Sequence, residues 1–305
     1  MGFTSYKKDK LLMENWRKFL KEEADPQSPS GEGSGMSITD QTSFTVLSNP
    51  KVGVKFIQEL LKGGDLFQQL QASQIKTKDD GTTKPAWFRT ESVNDLKNWV
   101  AGLGGGDLAK GIKIFAERAS VIGKKIPSSG IPKKDMPFLP GPDDAKGNVA
   151  DVADALTPGG KMNVDLFEKI APPPTNAFVG LDSPEAKAFM TAGANDGIPE
   201  DDKIEIKLGG SIAASAAIPT QSNILIPKGL GMAIKGLSGG DLGAYGGTDG
   251  EILDGHHRWS ATMLNDPSAN IGTIAQIDLK ALGIPETLKY LTTIGNALGN
   301  KTKIK

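Results

Sequence analysis

The chain has no cysteine among its 305 residues. That absence removes disulfides, thiolate zinc sites, iron–sulfur clusters and cysteine nucleophiles together. Histidine is almost missing as well, with two in the whole chain, the adjacent pair His256 and His257. Aromatic residues make up 6% and apolar residues 38% of the chain, against roughly 45–50% for a typical globular chain on a count that includes glycine. Neither charge sign dominates: 35 Lys and Arg against 36 Asp and Glu leave a net charge of −1, which argues against the strongly basic field of a non-specific nucleic-acid binder. No stretch reaches the about 18–20 apolar residues of a membrane span, and the N-terminus lacks the apolar core of a signal peptide. The expectation is a protein that is neither secreted nor membrane-spanning.

What the chain has in plenty is glycine, 38 residues, with 19 prolines, and these punctuate it into segments. Residues 1–24 carry Leu11, Leu12, Trp16, Phe19 and Leu20 at helical spacing, the pattern of a short amphipathic helix. Residues 25–39 have the Pro/Ser/Gly composition of a flexible linker. Residues 40–123 read as a helical domain, with helices over 48–61, 91–103 and 106–123 broken by Gly63-Gly64 and Gly104-Gly105-Gly106. A second linker is expected over 124–148 and a helical connecting region over 149–200. The pattern then changes. Residues 203–208 alternate apolar and charged residues, 224–227, 251–255 and 273–279 are further strand candidates, and 258–264 and 284–298 read as helices. The fold class is α+β, with a mixed C-terminal domain over 201–305 preceded by a mainly helical region. The motif GGDL recurs at 63–66, 105–108 and 239–242 and reads as Gly-terminated turns with an Asp cap.

The chemistry concentrates where a strand over 251–255 gives way to a helix. A helix start presents unpaired backbone N–H groups and the positive end of the helix dipole, both favourable to an anion. Arg258 adds a guanidinium that can grip phosphate oxygens in a fork, and His256 and His257 add imidazoles able to donate or accept. Asp254 has two readings, a general base or Mg²⁺ ligand on one side and a helix cap on the other. Arg258 likewise is either a phosphate ligand or the partner of a neighbouring acid. Adjacent histidines on a helix point about 100° apart and no third histidine or cysteine completes a zinc set, so no zinc ligand set is expected of the protein. Trp259 is expected in the core.

The sequence Asp254-Gly255-His256-His257-Arg258, followed by Trp259 and Ala261, resembles the Gly-x-x-Arg-x-x-Ala box of the ParB/sulfiredoxin superfamily, in a subgroup with DGHHR in place of the GERR-type box. Upstream, Pro219, Thr220 and Gln221 resemble the family's first box, with Ser222 where a basic residue is usual. The resemblance covers roughly residues 203–280. It implies a ParB/sulfiredoxin-like domain whose Gly255, His256, His257, Arg258, Thr220 and Gln221 bind a nucleotide or nucleic-acid phosphate. His256, His257 and Asp254 are the implied catalytic residues, and Mg²⁺ with a nucleoside triphosphate or diphosphate the implied cofactors. Members of the family bind CTP, reduce with ATP, transfer phosphate or cut DNA, so a phosphotransferase, a nucleotide hydrolase and a nuclease are all implied activities. Sulfiredoxin chemistry is excluded, because it needs a cysteine where His256 or His257 stands. Similar DGHHRW sequences occur in proteins of marine tailed phages, which implies a phage protein of the host cytoplasm or the virion. A non-enzymatic reading stands beside these, a virion structural or assembly component that self-associates or meets virion proteins through its N-terminal helical region.

Overall fold

A computed structural model of the chain describes residues 36–77, 81–133, 136, 206–277, 283, 284 and 288, and its backbone alone at 206–208, 241, 274, 275 and 277. The expected N-terminal helix, the connecting region 149–200 and all but two residues of the closing helix lie outside these residues. The described residues are mixed helix and sheet and divide into two compact units, one from residues 36–124 with Ile224–Leu237 and the other from the remainder. The division departs from the expected boundaries in two places. Ile224–Leu237 belongs with the helical unit, so the C-terminal domain is interrupted, and the described residues 125–133 and 136 belong with the sheet unit, where a linker was expected.

In the helical unit, a 3₁₀ turn at Phe44–Leu47 leads to α1 (Pro50–Leu61) and α2 (Asp65–Ser73), a hairpin of β1 (Ile75–Thr77) and β2 (Thr83–Pro85), then α3 (Val93–Leu103), α4 (Leu108–Lys125) and α5 (Ile226–Ile234). Local chemistry explains the helix starts. Asn49 caps α1 by accepting from the Lys51 N–H, with Pro50 supplying a fixed φ at the first turn. Ser92 and Asp95 form a reciprocal capping box on α3. The recurring GGDL motif opens α2 through Asp65 and caps α4 through Asp107, whose Oδ1 accepts from the Lys110 N–H at 3.1 Å. Its third copy instead begins a strand. Phe56 of α1 stacks on Phe115 of α4, and Trp99 of α3 meets the same ring edge-on.

The strand expected over 224–227 is not formed, because Ile226 and Pro227 open α5. A proline suits the first helical turn and denies a sheet its ladder donor. The linker end at Met36 and Ile38 is also packed, with the Ile38 N–H donating to Gln69 Oε1 at 2.8 Å.

The second unit is built on a six-stranded sheet of β3 (Ile206–Leu208), β4 (Ser211–Ala213), β5 (Ile218–Pro219), β6 (Gly240–Gly247), β7 (Glu251–Asp254) and β8 (Asn270–Ile277). The order is β3-β8-β6-β7-β5, with β4 also pairing β8. A helix, α6 (His256–Asn265), joins β7 to β8 and seals its Trp259, Ala261, Met263 and Leu264 into the core. The buried Trp259 ring donates its Nε1–H to the Ala214 carbonyl at 2.9 Å, so the expected core role is what the geometry gives. Ile131 from the expected linker lies beside Gln221 in a parallel bridge, with two backbone hydrogen bonds at 2.8 and 2.9 Å.

Candidate functional site

Strand topology brings residues 219–221 and 254–258 together. β5 and β7 run parallel, with Ile218 beside Glu251 and Pro219 beside Ile252. Their C-terminal ends therefore emerge side by side, one continuing into Thr220-Gln221 and the other into Asp254-Gly255-His256. Gly255 makes the corner with φ at 104°, a left-handed conformation that side chains resist, and a Cβ there would lie 3.0 Å from the Ala244 Cβ. The reversal lets α6 start at His256 immediately after the strand. No side chain caps that start, so the aspartate before it, Asp254, does not serve as a cap.

His256 is 2% exposed, and its Nε2 faces the backbone N–H groups of Thr220 and Gln221, each at 3.2 Å. Two donors aimed at one ring nitrogen make it an unprotonated acceptor and place the ring proton on Nδ1. Thr220 Oγ1 lies 3.2 Å from the same nitrogen and gives its own proton to the Ile252 carbonyl at 2.6 Å. Burial drives the His256 pKa down from 6.5 to about 3, a hydrogen bond with the Ile252 backbone pulls the other way, and the charge of Arg258 adds a little to the fall. The imidazole is a neutral staple between two backbone segments. Its Nε2 lone pair is directed at those backbone donors.

Arg258 lies in the first turn of α6 and bends back over the corner. Its Nη2 is 3.1 Å from Asp254 Oδ2 and 3.4 Å from the Gly243 carbonyl of β6. Both side chains of the pair are about one quarter exposed, at 25% and 28%. Of the two readings open for Arg258, the ion pair with a neighbouring acid is the one present, and the acid is Asp254. His257 is 7% exposed, and its carbonyl accepts from Ser260 Oγ at 2.9 Å. Gln221 donates through Nε2 to the Asn223 carbonyl.

The site thus gathers Thr220, Gln221, Asp254, Gly255, His256 and Arg258 around one corner. It also includes a residue that sequence reasoning missed. Tyr245 of β6 sits opposite Asp254 in the sheet register and is fully buried. Burial first, and the Asp254 charge second, push its hydroxyl pKa up, against a smaller opposing effect of Arg258. The signal was hidden because β6 reads GDLGAYGG, and glycine at four of its eight positions erases the strand alternation.

The donor set does not fit a protein-held Mg²⁺. Asp254 is engaged by Arg258, and no three His, Asp or Glu gather among the described residues. Likewise, no helix among the described residues is long and apolar enough to cross a membrane. A comparison of the chain with protein-family models, curated proteins and solved structures finds no match.

Proposed function

We propose that the β7–α6 corner binds the phosphate group of a nucleotide or of nucleic acid, in the manner its resemblance to the ParB/sulfiredoxin box implies. The observation that carries this reading is the staple from His256 Nε2 to the Thr220 and Gln221 amides, which unites the two boxes at the C-terminal ends of parallel strands. That is where open sheets commonly place ligands. In this reading Gly255 and the uncapped first turn of α6 supply backbone donors, Arg258 swings from Asp254 onto the phosphate, and His257 lies beside it. His256 holds the geometry and does not touch the ligand. Any Mg²⁺ arrives with the phosphates of a nucleoside triphosphate or diphosphate, and the protein contributes no cage for it.

Isothermal calorimetry with CTP, ATP and ADP, each with Mg²⁺, tests this. Binding to the wild-type chain and its loss in Arg258→Ala is the expected result. Equal heats from the two proteins sink the reading.

A second reading is favoured by the same ion pair. Because Asp254 neutralises Arg258 and His256 is locked in backbone hydrogen bonds, the corner also suits a fold kept as scaffold in a virion or assembly protein. Finding the chain at fixed copy number in purified particles, with no nucleotide heat, supports that reading over the first.

A further inference from the structure

We propose that the β1–β2 hairpin of the helical unit, with Trp87, is a contact for single-stranded nucleic acid, separate from the β7–α6 corner. All six strand residues of the hairpin are exposed, so it buries no face of its own. Its register places Lys76 directly across from Lys84. Like charges at opposed positions of an antiparallel pair are destabilising, and among the described residues no acidic side chain pairs with either lysine. A cross-strand pair of ammonium groups on an exposed face suits an anionic partner.

Just past β2, Trp87 is 59% exposed, the most exposed of the large apolar side chains described. Such exposure leaves an indole face in water. The ring is nonetheless braced, since it meets the buried Phe88 edge-on with centroids 5.6 Å apart. The Lys76 ammonium lies 5.8 Å from the centre of that same Phe88 ring, so lysine and tryptophan share one anchor. Phe88 is itself buried, at 6% exposure, and the buried Gln74 ties down the chain just beyond it by taking the Thr90 N–H at 2.8 Å and donating to the Pro227 carbonyl at 2.8 Å. A held aromatic face next to paired cations is the chemistry that stacks an unpaired base and neutralises its neighbouring phosphates. An acidic polypeptide answers the lysines but leaves the indole unused, and duplex DNA offers no open base to it. The sequence between the strands holds Lys78, Asp79 and Asp80, and the segment from 74 to 89 has four basic residues against two acidic ones.

The experiment is fluorescence anisotropy of labelled fifteen-base oligo(dT) and oligo(rU) with the full-length chain at low salt, beside labelled polyglutamate. The expected result is oligonucleotide binding that weakens about tenfold in Trp87→Ala and is retained in Trp87→Phe, as loss and rescue of one stacked base imply. Lys76→Glu with Lys84→Glu weakens binding further and flattens its dependence on salt by about 1.4 in the log–log slope, the value for two phosphates on a single strand. Preference for dT or rU tells whether the strand is DNA or RNA, and either supports the proposal. Three results overturn it: no oligonucleotide binding, equal binding by Trp87→Ala, or polyglutamate binding as tight as oligo(dT). Trp87, Lys76 and Lys84 are all exposed, and thermal melting confirms that the variants remain folded.

Discussion

The Nε2 atom of His256 stands 3.2 Å from the backbone nitrogen of Gln221, 35 residues away in the chain. A neutral imidazole in that position ties stability to pH. The folded-state pKa is about 3, below the ordinary 6.5, so between these values the unfolded chain binds the proton and the folded chain does not. The stabilisation is therefore fully present above about pH 6.5 and is lost as pH falls toward 3. In that window the unfolding free energy drops by about 1.4 kcal/mol per pH unit from this group alone. Urea unfolding from pH 7 to pH 4 measures it. His256→Gln keeps an acceptor and removes the titration, so its profile is flatter than the wild type's by that slope.

Gly255→Ala is expected to destabilise the second unit by about 1–3 kcal/mol, the range for holding a residue with a side chain in an unfavourable backbone region. The φ of 104° carries the strain, and the new Cβ would meet Ala244 at 3.0 Å. Chemical denaturation of the two proteins gives the difference. Gly255→Asn costs less, because asparagine tolerates the left-handed region better than alanine.

The sequence revealed α1, α3 and α4 because apolar residues at helical spacing coincide there with side-chain caps, Asn49, Ser92 and Asp107. It did not reveal β6, where glycines replace the alternating side chains, or the β1–β2 hairpin, which has no buried face to impose alternation. The corner was legible through rarity: the chain's two histidines stand next to Arg258. The work of His256 was not, because its partners are backbone amides, and a backbone amide leaves no mark on the identity of the residue that carries it. The same holds for Ile131, whose carbonyl and N–H pair with the 220–222 segment from within what composition marks as a linker.

Gly111→Ala separates helix propensity from packing. Alanine is worth about 1 kcal/mol over glycine in a helix interior, which on its own would stabilise α4. A Cβ at residue 111 would, however, fall 1.8 Å from the Val100 carbonyl oxygen of α3. Backbone must move to admit it, and overpacking of this kind costs about 1–3 kcal/mol or more. Packing wins, and the melting temperature of Gly111→Ala is expected to fall. A rise would mean that α3 and α4 separate without cost.

Asp254 and Arg258 set competing demands on the corner. Their ion pair, at 3.1 Å and about one quarter exposed, contributes on the order of 1 kcal/mol or less to folding, so Asp254→Asn is expected to leave the melting temperature nearly unchanged. Its effect on the proposed phosphate site is larger, because a carboxylate beside the guanidinium both occupies its donors and repels an incoming anion. Asp254→Asn is therefore expected to tighten nucleotide binding by several-fold, and Arg258→Ala to abolish it. Arg258→Lys retains the charge but not the fork, and recovers part of the affinity at most. Calorimetry on the three variants is expected to rank Asp254→Asn above the wild type, the wild type above Arg258→Lys, and Arg258→Lys above Arg258→Ala. If Asp254→Asn instead weakens binding, the carboxylate serves the ligand directly and Arg258 is its structural partner.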